Sequence, residues 1–213
     1  MESNQLNFNT TTNWKEETVK DEKLHFQAPE TKRLKHYELD LLHIVPENKE
    51  ENKPFISHTT FVDSVIGIVE HVFPLQCNLE PNILVKQPVI GRIPQAKGKP
   101  DSQLQEFEKT IYYNAMRVVI PVPITSELEA FNLTYIIGGF HCYNQSSDCK
   151  KPGEEIIKIF EGFEDKRSRQ LAIKTCETLI ANQLESVRAL EGRLFNFVKR
   201  VSNYPGFSAN TEM

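Results

Sequence analysis

His141 and Cys142, with Cys149 shortly after, gather an imidazole and two thiols, the donor types that bind zinc or that pair a thiolate nucleophile with a base. Neither chemistry is completed. Neighbouring residues on a strand face opposite sides, so His141 and Cys142 diverge, and no orienting group or oxyanion loop accompanies Cys142. Gly138-Gly139 lacks the G-x-G-x-x-G spacing and the helix onset that would aim N–H groups at a pyrophosphate. Gly91-Arg-Ile-Pro94 lacks the Lys-Ser/Thr ending of a phosphate loop. Glu106, Glu108 and Glu127 are scattered without metal-pairing spacing, which leaves hydrolase or nuclease chemistry without a constellation. The residues therefore predict no catalytic set, no metal and no cofactor.

Binding chemistry is better represented. Arg92, Lys97, Lys99, Lys109 and Arg117 surround Phe107, Tyr112 and Tyr113. Cations interleaved with aromatics are what a single-stranded nucleic acid needs for phosphate attraction and base stacking. Gly91, Pro94, Gly98 and Pro100 forbid a helix across this segment, so it reads as a long basic loop entering an aromatic strand. The competing reading places Tyr112 and Tyr113 in the core, where strand aromatics usually pack. Lys166, Arg167 and Arg169 form a second basic cluster.

The chain has 213 residues, 39% of them hydrophobic, and a net charge of -4. That suffices for a real core and opposes whole-molecule attraction to nucleic acid, while leaving room for a local basic patch. No apolar run approaches the roughly 20 residues a membrane span needs, and the first residues lack a basic region followed by an apolar one. Cysteines at 77, 142, 149 and 176 show no paired spacing. Free thiols and a cytoplasmic location are the expectation.

The elements that must position these residues follow from periodicity. Residues 1–38 are polar and without pattern, and read as a tail ordered only by a partner. Leu39 to Val45 reads as an edge strand, followed by a charged turn at residues 47–53. Ser57 or Thr59 caps a helix to Phe73, with Phe61, Val65, Ile68, Val69 and Val72 at spacings of three and four, and Pro74 stops it. Ile83–Ile90 is a strand whose Pro88 marks an edge or bulge. Asp101–Lys109 is a short helix, Thr110–Ile124 a strand, and Leu133–Tyr143 a strand whose Gly138-Gly139 implies a bulge or close backbone approach. A polar turn at 144–153 leads into a strand through Phe163. From Asp165 onward, Ile173, Cys176, Ile180, Leu184, Val187, Leu190, Leu194, Val198 and Val201 step by three or four, predicting one helix over 166–203 with a flexible tail at 204–213. Such a helix, about 50 Å long, outreaches the sheet and predicts self-association through Leu190, Leu194 and Val198, the alternative being that the tail or the Leu39–Val45 strand folds over its exposed end.

The words Ile56-Ser-His58, Pro88-Val-Ile-Gly-Arg-Ile-Pro94, Lys99-Pro100, Glu108-Lys-Thr-Ile-Tyr-Tyr113, Ile137-Gly-Gly139, Tyr143-Asn144 and Phe160-Glu-Gly-Phe163 resemble, in combination, the family called domain of unknown function 3871. The likeness spans about residues 40–165. It implies a protein of a phage, plasmid or conjugative element and supplies no catalytic residues. Members of that family usually continue beyond the Phe-x-Gly-Phe word with a cysteine-containing segment and further helices, so this chain reads as a shortened or diverged form.

The expected fold is α+β: a mainly antiparallel sheet of four or five strands, one N-terminal helix and a long C-terminal helix. The expected function is a non-enzymatic accessory protein that engages single-stranded nucleic acid through Arg92, Lys97, Lys99, Lys109, Tyr112, Tyr113, Arg117, Lys166, Arg167 and Arg169. The alternative is a protein-binding inhibitor that acts on a host protein, with no membrane partner in either case.

Overall fold

Strand alternation and one capped helix lay down the frame. The computed structural model describes residues 31–40, 56–74, 80–122, 132–143, 155–180, 184 and 186–202. The expected turns at 47–53 and 144–153, the tail segments 1–30 and 204–213, most of the Leu39–Val45 strand, and Cys77, Glu127 and Cys149 lie outside these residues.

Six strands, β1 (Lys32–Leu34), β2 (Asn82–Arg92), β3 (Lys109–Val122), β4 (Leu133–Cys142), β5 (Ile156–Asp165) and β6 (Leu171–Ile180), form one sheet in sequence order with every neighbouring pair antiparallel. The mainly antiparallel α+β expectation holds, with six strands among the described residues in place of four or five. Three α-helices accompany them among the described residues: α1 (His36–Asp40), α2 (His58–Val72) and α3 (Val187–Ser202).

Helix α2 starts where the sequence places it. Ser57 is extended and its Oγ accepts from the Thr60 N–H at 2.9 Å. Phe61, Val62, Val65 and Val69 face one core, shared with Ile83, Val85, Met116, Val118, Ile120 and Ile137 of the sheet and with Leu190, Leu194, Phe197, Val198 and Val201 of α3. Both helices thus lie on one sheet face. The other face carries smaller clusters, Val119, Ile136 and Phe160 with Leu171, Ile173 and Cys176, and Ala115, Phe140 and Cys142 with Leu84.

Gly138 and Gly139 permit the close approach expected of them. A Cβ on Gly139 would sit 2.3 Å from the Phe61 ring of α2, and one on Gly138 would sit 2.4 Å from the Val118 carbonyl and 2.7 Å from the Phe160 ring. Pro88 also fits: β1 pairs only with Ile83–Val85, so Pro88 lies where the outer edge of β2 needs no N–H from it.

Three expectations are corrected. Residues 32–38 are not tail but strand β1 and most of α1, because Leu34 and Leu39 are both buried in the main core. Asp101–Lys109 is not one helix but two short 3-10 turns, Asp101–Gln103 and Glu106–Glu108, before β3 begins at Lys109. The single helix over 166–203 is instead a turn, strand β6 and α3. Asp165 sets the turn, its carboxylate accepting the Arg167 and Ser168 N–H groups at 2.8 and 2.7 Å. Arg169 then takes a left-handed φ of 60°. In β6, Ile173, Thr175, Thr178 and Ile180 are β-branched and pair with β5, a preference that overrides the three-and-four spacing. Leu190, Leu194 and Val198 are fully buried within the one chain, so they offer no seam to a second copy.

Candidate interaction arm and its buried histidine root

Among the described residues, the β2–β3 hairpin outruns the sheet on both sides. Pairing with β1 ends at Val85 and pairing with β4 ends at Ala115, whereas β2 and β3 stay paired out to Arg92↔Lys109. Pro88–Arg92 and Lys109–Tyr113 therefore form a two-stranded arm of five residue pairs, about 17 Å long. A lone hairpin is marginal in water, so its tip and root must be fastened.

The tip is fastened by its own charges. Arg92 bonds the Lys99 carbonyl and pairs with Asp101 at 2.5 Å, Lys99 reaches both Glu108 oxygens at 2.8 and 2.7 Å, and Lys109 pairs with Glu106. The Lys99 ammonium first, then the Gln105 N–H, hold the Glu108 carboxyl below its usual range. The Ile93 N–H closes the ladder on the Glu108 carbonyl at 2.9 Å, and Gly98 at a φ of 84° supplies the left-handed corner. Among polar neighbours such as Gln95, Lys97, Ser102 and Gln103, the arm and its loop also leave three large apolar side chains in solvent. Ile90 is 71% exposed, its cross-strand partner Ile111 49%, and Phe107 77%.

The root is fastened by imidazoles. His58 opens α2 and is fully buried, and its backbone N–H, one of the donors a helix start leaves unpaired, donates to the Tyr143 hydroxyl at 3.0 Å. Its Nε2 lies 2.8 Å from the Tyr113 carbonyl, at the base of the arm, and its Nδ1 lies 2.9 Å from Nδ1 of His141. His141, also fully buried, turns its Nε2 to Glu155 Oε1 at 2.6 Å. Tyr143 lies tilted against the His58 ring and meets the His141 ring edge-on, and Tyr112 meets Tyr143 edge-on. Burial lowers His141 to about 3. For His58, burial and then the neighbouring His141 push the value well below the ordinary range, against the pull of the Tyr113 carbonyl. Burial, then Glu155, raises Tyr143 well above its usual range. Burial thus favours the neutral form of both imidazoles.

The residues expected to bind nucleic acid are scattered. Tyr112 and Tyr113 are buried at the root and offer no stacking face. Arg92, Lys99 and Lys109 are ion-paired within the loop, and Lys97 is exposed at its tip. Arg117 is buried beside Glu164, and desolvation pushes it down to about 10 against that carboxylate. Arg169 pairs with the same Glu164 at 3.4 Å, while Lys166 and Arg167 are exposed in the β5–β6 turn. That turn follows Asp165, which pairs with Leu133 beyond the far end of β3, roughly 40 Å along the strand from the loop. The two basic clusters do not converge.

His141 and Cys142 face opposite sides as expected, His141 toward α2 and Cys142 toward Ala115 and Phe140. Among the described residues no group of three or more His, Cys, Asp or Glu side chains is placed to hold a metal. Sequence reasoning missed the His58–His141 pair and the role of Glu155. The available signals were a histidine beginning an otherwise apolar helix face and His141 in the core phase of β4. It singled out Phe107 only as a stacking aromatic and missed Ile90 and Ile111, whose exposure depends on where the described neighbouring strands stop.

The family model described as "Domain of unknown function, B. Theta Gene description (DUF3871)" matches residues 7–205, so the chain belongs to that family. The match extends on both sides of the span expected from the sequence words and takes in β6 and α3. No curated protein and no solved structure matches the chain.

Proposed function

We propose that this family member is a non-enzymatic binding protein that docks a partner protein through the β2–β3 arm. The observation that carries the reading is the exposure of Ile90, Phe107 and Ile111 on a hairpin whose loop is crossed by three ion pairs. Covering each such side chain yields about 1.5–3 kcal/mol, and a pre-ordered arm spends little of that gain on its own ordering. Ile90 and Ile111 face each other across the two strands, and such an exposed apolar pair on a projecting hairpin, with Phe107 further along the same hairpin, supports a recognition role. In the mobile-element setting that the sequence words imply, the partner is a host protein.

Nucleic-acid binding is the weaker reading, because three of the loop cations are already neutralised and the two tyrosines are buried. Affinity capture from cells that express the protein naturally separates the two. The unmodified chain should retain a defined protein that the double variant Phe107→Ser, Ile111→Thr loses, with both chains equally stable. Retention of the same protein by the double variant, or loss of the bound material on nuclease treatment, contradicts the reading.

A further inference from the structure

We propose that His58, His141 and Glu155 share a single trapped proton, which latches the start of α2 and the entry to β5 onto the root of the arm. The latch holds whether or not the arm binds a protein. It follows from counting donors along one chain of contacts. The Tyr113 carbonyl only accepts, so Nε2 of His58 carries a hydrogen. A neutral His58 then has a bare Nδ1, and the 2.9 Å contact requires that Nδ1 of His141 donate. His141, neutral in turn, has a bare Nε2 at 2.6 Å from Glu155 Oε1. An ionised carboxylate would set two lone pairs against each other there. A hydrogen must lie between them, one more than two neutral imidazoles and a carboxylate possess.

The burial of both histidines places that proton on the carboxyl side, so Glu155 donates and the whole network is uncharged. Glu155 is the route by which it exchanges, since its side chain is 19% exposed and those of the histidines are sealed. Among the described residues, the ionisable groups facing the latch are His58 from α2, Tyr112 and Tyr113 from β3, His141 and Tyr143 from β4, and Glu155 ahead of β5. In the unfolded chain Glu155 is ionised above about pH 5. A proton held only by the folded state stabilises it at low pH, and the contribution is lost as pH rises until the latch proton leaves.

Glu155→Gln supplies a neutral N–H to His141 Nε2 and needs no added proton. Denaturant titrations of the full chain and this variant should therefore give a ratio of folding constants, unmodified over variant, that falls about tenfold per pH unit upward from about pH 5. Taking the ratio cancels the other titrating groups. A ratio independent of pH between about 5 and 7 overturns the proposal. Should the variant fail to fold, nitrogen-resolved NMR of the unmodified chain decides: hydrogens on His58 Nε2 and His141 Nδ1 support the latch, and a bare His141 Nδ1 overturns it.

Discussion

Gly139 sets how near α2 can lie to the sheet, since its missing side chain is the space that the Phe61 ring occupies. Gly139→Ala must push Phe61 and its helix outward, and should cost about 1–3 kcal/mol of stability in denaturant titration. Gly67 in α2 and Gly192 in α3 have nothing within 4 Å of the place a Cβ would take, so alanine there should gain about 0.5–1 kcal/mol each by restricting the unfolded chain and favouring helix. An opposite sign at either place would show that the helix packing is misdescribed. The tight approach at Gly138-Gly139 and the divergence of His141 from Cys142 were legible because both follow from strand geometry alone. The pairing of His58 with His141 was not, because the two are 83 residues apart and only the register of α2 on β3 and β4 joins them.

Among the elements, α2 and strands β2 to β5 were readable because cap, alternation and punctuation agree there. The stretch after Asp165 misled, since Ile173, Cys176 and Ile180 happen to step like a helix while lying on a strand. The correction changes what Leu194 does. Expected at an open seam, it is instead buried between α3 and the core. Leu194→Ala should cost about 2–5 kcal/mol, and Leu194→Glu, which buries an unpaired charge, should prevent folding. A folded, monodisperse Leu194→Glu protein would restore the seam.

The whole molecule divides into a two-faced sheet backed by α2 and α3 and an arm that projects past both neighbouring strands. No helix among the described residues is long and apolar enough to cross a membrane. The loop was legible as an irregular, cation-bearing segment, but Arg92, Lys99 and Lys109 proved to be braces, because their carboxylate partners come from the same few turns of chain. Phe107→Ser with Ile111→Thr alters only exposed side chains and should shift stability by no more than about 0.5 kcal/mol. Removing Lys166 and Arg167 together should leave partner capture unchanged, as checked in the same binding assay, because the β5–β6 turn lies at the end of the sheet away from the arm.

Site-specific photo-crosslinking in cells that naturally express the protein tests the arm most directly. A photoreactive residue at position 107 or 111 should form one discrete protein adduct, and the same residue at Arg193, exposed on α3, should not. Equal adducts from position 193, adducts to nucleic acid alone, or none from the arm would contradict the account.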